Sequence, residues 1–268
     1  MGDVIFGESQ LALIAGPCVI ESREHCLEIA GRIKLIADGL GVPFVFKASY
    51  SKANRSSVRS FRGPGLEEGL EILSAVRERI GVPVLSDVHC RSEVERAARV
   101  LDVIQVPAFL CRQTDLLLAC GATGKPVNVK KGQFVAPEDT KYVLEKLASS
   151  GCRNVILTER GTCFGYHNLV VDMRGITTMR SMGVPVVFDV THSLQRPGGE
   201  RTSGDTAFAA TLARAAVAAG SDALFVETHE KPDGAPSDSE TMLPVSSLKR
   251  FLEDMIRIRE AFLKCSLS

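Results

Sequence analysis

The segment G-V-P-F-V-F-K-A, residues 41–48, contains the transition from which the fold can be predicted. Gly41 and Pro43 end a helical pattern, and the apolar run that follows is typical of a buried strand. The run closes on a charged residue, Lys47. The same Gly-Val-Pro triplet recurs at Gly81 and Gly183, each time between a helical pattern and an apolar run. The repetition predicts that helices and strands alternate along the chain.

Eight apolar runs alternate with eight amphipathic segments over the whole sequence. Each run is short and apolar on both faces, as in parallel sheets. The predicted strands are residues 11–15, 44–48, 82–87, 103–106, 126–130, 154–158, 184–189 and 223–228, and the predicted helices are residues 23–38, 66–80, 92–101, 113–121, 137–149, 171–182, 205–219 and 246–263. Eight such units fit a closed (β/α)8 TIM barrel, an α/β fold, whereas a doubly wound sheet more usually has a glycine-rich first turn.

Composition narrows the class of protein. The chain has 268 residues, 45% of them hydrophobic, with 32 basic and 32 acidic side chains, and this balance favours neither nucleic acid nor membrane as a partner. No linker or repeat divides it, so we expect residues 1–268 to form one domain. The amino-terminal residues carry no signal pattern, and the eight cysteines form no C-x-x-C pair, so we expect a cytoplasmic protein with mostly reduced thiols.

Positive charge is concentrated just after the second predicted strand. Five cationic residues lie within sixteen positions, and no Asp or Glu stands between Pro43 and Glu67. They are Lys47, Lys52, Arg55, Arg59 and Arg62. Such cations repel one another unless an anion lies among them, and the interspersed Ser and Asn side chains suit phosphate and carboxylate groups. A solvated basic loop is the alternative that this segment alone leaves open.

Polar residues follow every predicted strand, at the end that forms the functional face of a barrel. Among them are Lys47, Asp87, Gln105, Lys130, Arg160, His192 and Glu227. Partly buried charges need partners, so a purely structural barrel has no reason to carry this set. Because the cations converge on one opening, we expect a multiply charged substrate or two anionic groups there.

Four residues at this end have metal-ligand chemistry. Cys18 follows strand 1, His192 follows strand 7, Glu227 ends strand 8, and Asp238 lies in the next loop. Strands 1, 7 and 8 become neighbours when a barrel closes, so these side chains could together hold Zn²⁺, Fe²⁺ or Mn²⁺. Taken alone, Cys18 would more often be a small buried residue. Three further histidines could compete; we place His25 on a helix and expect His89 and His229 to orient other groups.

Several short motifs are spread over nearly the whole chain. They include Gly16-Pro17-Cys18, Phe46-Lys47-Ala48-Ser49, Lys52-Ala53-Asn54-Arg55-Ser56-Ser57, Asn128-Val129-Lys130-Lys131-Gly132-Gln133, Thr158-Glu159-Arg160-Gly161 and Asp189-Val190-Thr191-His192-Ser193. Together they resemble the 3-deoxy-D-manno-octulosonate 8-phosphate (KDO8P) synthases. The Lys-Ala-Asn-Arg-Ser-Ser block distinguishes the resemblance to this family from one to the related DAHP synthases. Those enzymes use erythrose 4-phosphate and carry a Lys-Pro-Arg-Thr/Ser block at the same place.

The resemblance implies a homotetrameric (β/α)8 barrel that condenses phosphoenolpyruvate (PEP) with arabinose 5-phosphate and water, a step towards lipopolysaccharide. It implies that PEP contacts Lys52, Lys130 and Arg160, with Lys47 nearby. The sugar phosphate would meet Asn54, Arg55 and Ser56, with Arg112 reaching in from a neighbouring subunit; Gln105 is a further candidate substrate-binding residue.

The resemblance also implies a metal. Family members divide by whether the first motif reads Gly-Pro-Cys or Gly-Pro-Asn, and Cys18 resembles the metal-dependent form. His192, Glu227 and Asp238 match its remaining ligands. Proton transfer is left open among Lys130, Asp87, His192 and a metal-bound water. No role is assigned to residues 195–204, and a DAHP synthase or a phosphosugar-binding barrel without turnover are the competing interpretations.

Overall fold

Eight parallel strands close into a barrel in the computed structural model, which describes residues 6–7, 10–53, 60–163, 165–196 and 203–266. The barrel strands are β1 (Ala12–Gly16), β2 (Phe44–Lys47), β3 (Val84–Asp87), β4 (Val103–Val106), β5 (Val127–Lys130), β6 (Val155–Glu159), β7 (Val186–Asp189) and, after an antiparallel pair β8 (Gln195–Arg196) and β9 (Ser203–Gly204), β10 (Ala223–His229). A short β11 (Leu243–Pro244) pairs with the end of β10. β1 pairs with both β2 and β10, which confirms the predicted (β/α)8 barrel.

Eight helices surround the strands: α1 (Arg23–Leu40), α2 (Leu66–Ile80), α3 (Arg91–Val100), α4 (Thr114–Gly121), α5 (Lys141–Ser149), α6 (Arg174–Arg180), α7 (Ala209–Ala218) and α8 (Val245–Ser266). α5 and α7 begin later than predicted, because a 3-10 turn takes the place of the first helical turn in each case. Gly41, Gly81 and Gly183 follow α1, α2 and α6 with positive φ angles of 65°, 72° and 81°, a left-handed conformation that glycine adopts without strain. No helix in the described ranges is long and apolar enough to cross a membrane.

The interior of the barrel changes from apolar to polar along each strand. Its apolar layer includes Val45, Leu85, Val103, Val187 and Phe225, all buried. Because side chains of a strand alternate between faces, the residue two positions later also points inward. Those residues are Lys47, Asp87, Gln105, Asp189 and Glu227. Apolar side chains therefore fill the interior of the barrel, and charged side chains lie at the carboxyl ends of the strands.

Gly16 permits the close approach of β1 and β2 at this charged end. A Cβ atom on Gly16 would lie only 2.0 Å from the backbone oxygen of Lys47. Two residues later the chain reaches Cys18, so this approach brings the loop after β1 against Lys47.

We expect Gly16→Ala to lower the free energy of unfolding by roughly 1–3 kcal/mol, because the two strand backbones must separate to admit the methyl group. Urea denaturation measures the change. Gly39→Ala is the matched control, since an added Cβ meets no atom within 4 Å. Gly39 lies on an exposed part of α1, where alanine should be neutral or stabilising by up to about 1 kcal/mol. Equal stabilities for Gly16→Ala and the wild type would contradict this packing argument.

Candidate active site

A buried ion pair joins β2 to β10 at the carboxyl end of the barrel. Lys47 Nζ donates hydrogen bonds to Glu227 Oε1 at 2.6 Å and to the backbone oxygen of Cys18 at 3.0 Å. Lys52 Nζ lies 3.8 Å from the same carboxylate oxygen. Burial would raise the pKa of Glu227, but the charges of Lys47 and Lys52 outweigh it and hold that pKa below its ordinary value. Glu227 is thus ionised, and its second oxygen is buried without a hydrogen-bond partner among the described residues.

Cys18, Glu227 and Asp238 form a compact donor cluster, with one potential ligand atom from each within 4.8 Å of the others. The Cys18 thiol donates to Asp238 Oδ2 at 2.8 Å and to Ser237 Oγ at 2.9 Å. Burial, followed by the charges of Asp238 and Glu227, raises the pKa of Cys18 well above its ordinary value. A thiolate there needs a cation in place of the proton. Asp238 is also the one non-glycine residue of the described chain with a positive φ, 50°, a strain that is common at functional sites.

His192 lies at the edge of this cluster. Its Nε2 is 3.9 Å from Glu227 Oε1, and its Nδ1 is 2.8 Å from Asp189 Oδ2. The His192 backbone N–H also donates to Asp189 Oδ1 at 2.9 Å. Asp189 therefore lies behind the ring, where a carboxylate accompanies many metal-binding histidines, although Nδ1 makes no hydrogen bond of good geometry to it. Three of the four predicted ligands therefore lie together, and Nε2 of the fourth, His192, is the ring nitrogen nearer to them.

Lys130 is buried and contacts Asp189, the carboxylate that also lies beside His192. Its Nζ donates to Asp189 and lies 3.1 Å from the centre of the Phe225 ring. Burial lowers the pKa of Lys130 to about 8, although the neighbouring charge of Asp189 opposes that shift. Lys130 can therefore exist in either protonation state near neutral pH.

Arg160 is connected to the donor cluster through Gln195. Arg160 Nη2 donates to Gln195 Oε1 at 2.7 Å, and Gln195 Nε2 donates to Asp238 Oδ1 at 2.8 Å. Neither Gln195 nor Asp189 is among the predicted site residues. Asp189 could have been found, because it stands two positions after the inward-facing Val187. Gln195 lies in a loop, and nothing in the sequence indicates its position.

Asp87 is held by Ser49 and His89. Its Oδ1 accepts a hydrogen bond from Ser49 Oγ at 2.5 Å, and its Oδ2 lies 2.9 Å from His89 Nε2. His89 Nδ1 is 3.5 Å from Glu93, which also accepts from Tyr50 at 2.8 Å. Burial would lower the pKa of His89, but its bonds to Asp87 and Glu93 raise it to about 9. His89 is thus charged at neutral pH and orients Asp87, as expected for it.

The remaining predicted residues have different positions. Gln105 is buried, and its Oε1 accepts a hydrogen bond from Asn128 Nδ2 at 3.0 Å. Arg112 is exposed, and its side chain has no hydrogen bond or ion pair with any described residue. Three further predicted substrate-binding residues lie outside the described residues: Asn54, Arg55 and Ser56. Most of the segment 195–204 also lies outside them. His229, expected to orient another group, contacts Glu21 at 3.2 Å.

The chain is similar to known proteins over nearly its whole length. The chain matches the family model described as the DAHP synthetase I family over residues 2–264. It is 57% identical over 256 residues to a 2-dehydro-3-deoxyphosphooctonate aldolase of Trichlorobacter lovleyi, covering 94% of each chain. The protein of the same name from Syntrophotalea carbinolica is 55% identical over 96% of this chain and 94% of its own length. That from a Cyanothece species is 53% identical over 97% and 96%.

The raised pKa of His89 predicts a pH-dependent stability. Protonated His89 stabilises the fold fully below its ordinary pKa of 6.5, and this contribution is lost as pH rises through about 9. The shift corresponds to roughly 3 kcal/mol at about 1.4 kcal/mol per pKa unit. The difference in unfolding free energy between wild type and His89→Gln should therefore shrink between about pH 6.5 and 9. Urea denaturation at stepped pH measures it, with the exposed His167→Gln as control. A difference independent of pH would refute the assignment.

Proposed function

The chain belongs to the DAHP synthetase I family, and within it we infer that this protein condenses PEP with arabinose 5-phosphate and water to give KDO8P and phosphate. Its relatives of 53–57% identity are 2-dehydro-3-deoxyphosphooctonate aldolases, another name for the KDO8P synthases, which are transferases. Use of erythrose 4-phosphate, as in a DAHP synthase, has less support. We propose that residues 1–268 act as one catalytic domain.

One observation carries the site assignment: four largely buried cations lie around Glu227, Asp189 and Asp238 at the carboxyl end of the barrel. They are Lys47, Lys52, Lys130 and Arg160. Both substrates are anions that repel each other in water, and a cationic, water-poor opening can hold them together. Within it, we propose that Lys52, Lys130 and Arg160 bind the phosphate and carboxylate of PEP. Arg160 uses one nitrogen for Gln195, and its other N–H groups have no partner among the described residues, so they can bind an oxyanion bidentately.

The same residues suit the charge changes of the reaction. Carbon C3 of PEP attacks the sugar aldehyde, water adds to C2, and the phosphate leaves, so negative charge develops on the aldehyde oxygen and on the phosphate. We propose Lys130 as the residue that moves a proton, because a pKa of about 8 lets it donate and accept near neutral pH. Asp87 suits this role less, because its bond to His89 outweighs burial and holds its pKa well below the ordinary value, and we propose His192 as a metal ligand instead.

We propose that Cys18, His192, Glu227 and Asp238 hold a divalent metal ion. The residues fit such an ion, because three donor atoms are clustered and the second oxygen of Glu227 is buried without a described partner. When bound, the ion would polarise the sugar aldehyde or a water molecule. A thiolate, an imidazole and carboxylates suit Zn²⁺, Fe²⁺ or Mn²⁺.

We propose that Asn54, Arg55, Ser56 and Gln105 bind the sugar phosphate, with Arg112 supplied by a neighbouring subunit of a homotetramer. Arg112 is exposed, and so are the aromatic side chains of Phe109 and Phe134. Exposed aromatic side chains and an exposed guanidinium support burial against another subunit. The homotetramer stays a prediction, which the mass from light scattering would check.

We expect arabinose 5-phosphate to support phosphate release from PEP far better than erythrose 4-phosphate, with kcat/KM differing roughly tenfold or more. The reason is that a site shaped for the longer sugar leaves polar groups unpaired around the shorter one. Steady-state phosphate release with each aldehyde, and with none, measures the ratio. A preference for erythrose 4-phosphate would identify a DAHP synthase, and binding without phosphate release would identify a phosphosugar-binding barrel.

We expect chelation to abolish phosphate release and added divalent metal to restore it. Cys18→Ser should behave like the chelated protein, with metal affinity or activity lowered at least roughly 10- to 100-fold, because even changes behind the ligands have effects of that size. Elemental analysis and phosphate release measure both. The exposed Cys265→Ala is the matched control and should stay active. Full activity after exhaustive chelation, with no metal detected, would end the metal proposal and leave the substrate assignments standing.

A further inference from the structure

A second group of metal-binding side chains lies where the barrel closes, outside the proposed active site. It consists of Glu21, His25, His229 and Glu230, which we call the seam cluster. Glu21 and His25 stand on either side of the Ser22 N-cap at the start of α1, and the other two residues lie at and just after the end of β10. β1 and β10 are paired up to Gly16 and Glu227, so the segments that follow them meet. No described hydrogen bond or ion pair joins the seam cluster to Cys18, Glu227 or Asp238.

Three donor atoms of the seam cluster already converge. Glu21 Oε1 lies 3.2 Å from His229 Nε2 and 4.0 Å from His25 Nδ1, and one ligand atom from each of the three residues lies within 4.8 Å of the others. Bonds of about 2.0–2.2 Å around a tetrahedral zinc ion separate its ligands by roughly 3.4 Å. Small side-chain movements would therefore be enough to coordinate an ion.

His25 has the hydrogen bonding of a metal ligand. Its Nε2 lies 3.0 Å from Glu230 Oε2, so the ring proton is held on Nε2 by that carboxylate. The lone pair of Nδ1 then faces the cluster, and Nδ1 is buried without a hydrogen-bond partner. A buried polar atom without a partner is unfavourable, and a bound cation would satisfy it. A carboxylate that fixes the tautomer from behind is the usual companion of a metal-binding histidine.

His229 and the charges complete the site. His229 Nδ1 accepts the backbone N–H of Lys231 at 2.9 Å, so the proton on Nε2 points at Glu21, and a cation would displace it. Coordination through Nε2 moves the ring proton to Nδ1, so it requires the Lys231 N–H to give up this hydrogen bond. Two carboxylates with one nearby guanidinium, Arg32 at 3.9 Å from Glu230, leave net negative charge for a cation. The four side chains are 11–28% exposed, so an ion can enter from solvent.

We propose that Glu21, His25 and His229 bind a second divalent ion of the zinc type, with Glu230 orienting His25. Imidazole and carboxylate ligands without a thiolate suit Zn²⁺ and Co²⁺. This site differs from the Cys18 cluster in having no sulfur, so bound cobalt would show no thiolate charge-transfer band there.

The test counts metal ions per chain. Wild type, His25→Gln, Cys18→Ser and the double variant are loaded with Zn²⁺ or Co²⁺, freed of excess by gel filtration and measured by elemental analysis. The expected counts are two, one, one and none. The thiolate-to-cobalt band should persist in His25→Gln and vanish in Cys18→Ser, which separates this proposal from the one for the active site.

His167→Gln is the matched control, because it removes an exposed imidazole from elsewhere and should keep two ions. Glu21→Gln should lose the same ion as His25→Gln, while circular dichroism verifies that both variants are folded. An unchanged count in folded His25→Gln and Glu21→Gln would overturn the proposal, as would a wild type that binds no ion beyond the one lost in Cys18→Ser. A count that falls by one in both seam variants, with Cys18→Ser unchanged, would support it and refute the metal at Cys18.

Discussion

The ion pair between Lys47 and Glu227 is the interaction on which the site depends. Its side chains are 2% and 0% exposed, and removing two charges from water is costly unless each finds good partners. The pair spans β2 and β10, the two strands that flank β1, so it closes over the loop that carries Cys18. The same contact neutralises Glu227 on one side only and leaves its other oxygen directed at no described donor. Glu227 therefore uses one oxygen for the ion pair with Lys47 and keeps the other available as a metal ligand.

The remaining buried charges follow the same logic. Lys130 and His192 share Asp189, and Lys47 and Lys52 share Glu227. Glu227 thus faces two lysines, which leaves positive charge beside it for an anionic substrate. Arg160 adds to it, with a neutral amide as its described partner. The fold tolerates this imbalance because the pairs that exist are dry and close, and anionic substrates complete the balance when they bind.

Periodicity explains how much the sequence could predict. The strands and most helices were predictable because burial on both faces imposes short apolar runs, burial of one helix face imposes a helical repeat, and Gly41 and Gly81 mark helix ends. The 3-10 turns before α5 and α7 were missed, since their composition does not differ from that of a first α-helical turn. Charged residues at strand ends interrupt an apolar pattern and were therefore found. Gln195 was not, because its link between Arg160 and Asp238 depends on how a loop folds back.

Barrel closure also brings together residues for which the sequence offers no pattern. His25 occupies the first turn of α1, a position that the sequence alone assigns to a helix surface, yet the pairing of β1 with β10 brings it against His229, with ring centres 4.7 Å apart. β10 thus contributes Glu227 to one donor cluster and His229 to the other. The first is buried and contains a thiol, whereas the second is half-open and contains only nitrogen and oxygen donors. Ligand softness and access to water differ between them, so the two clusters should prefer different cations and exchange them at different rates.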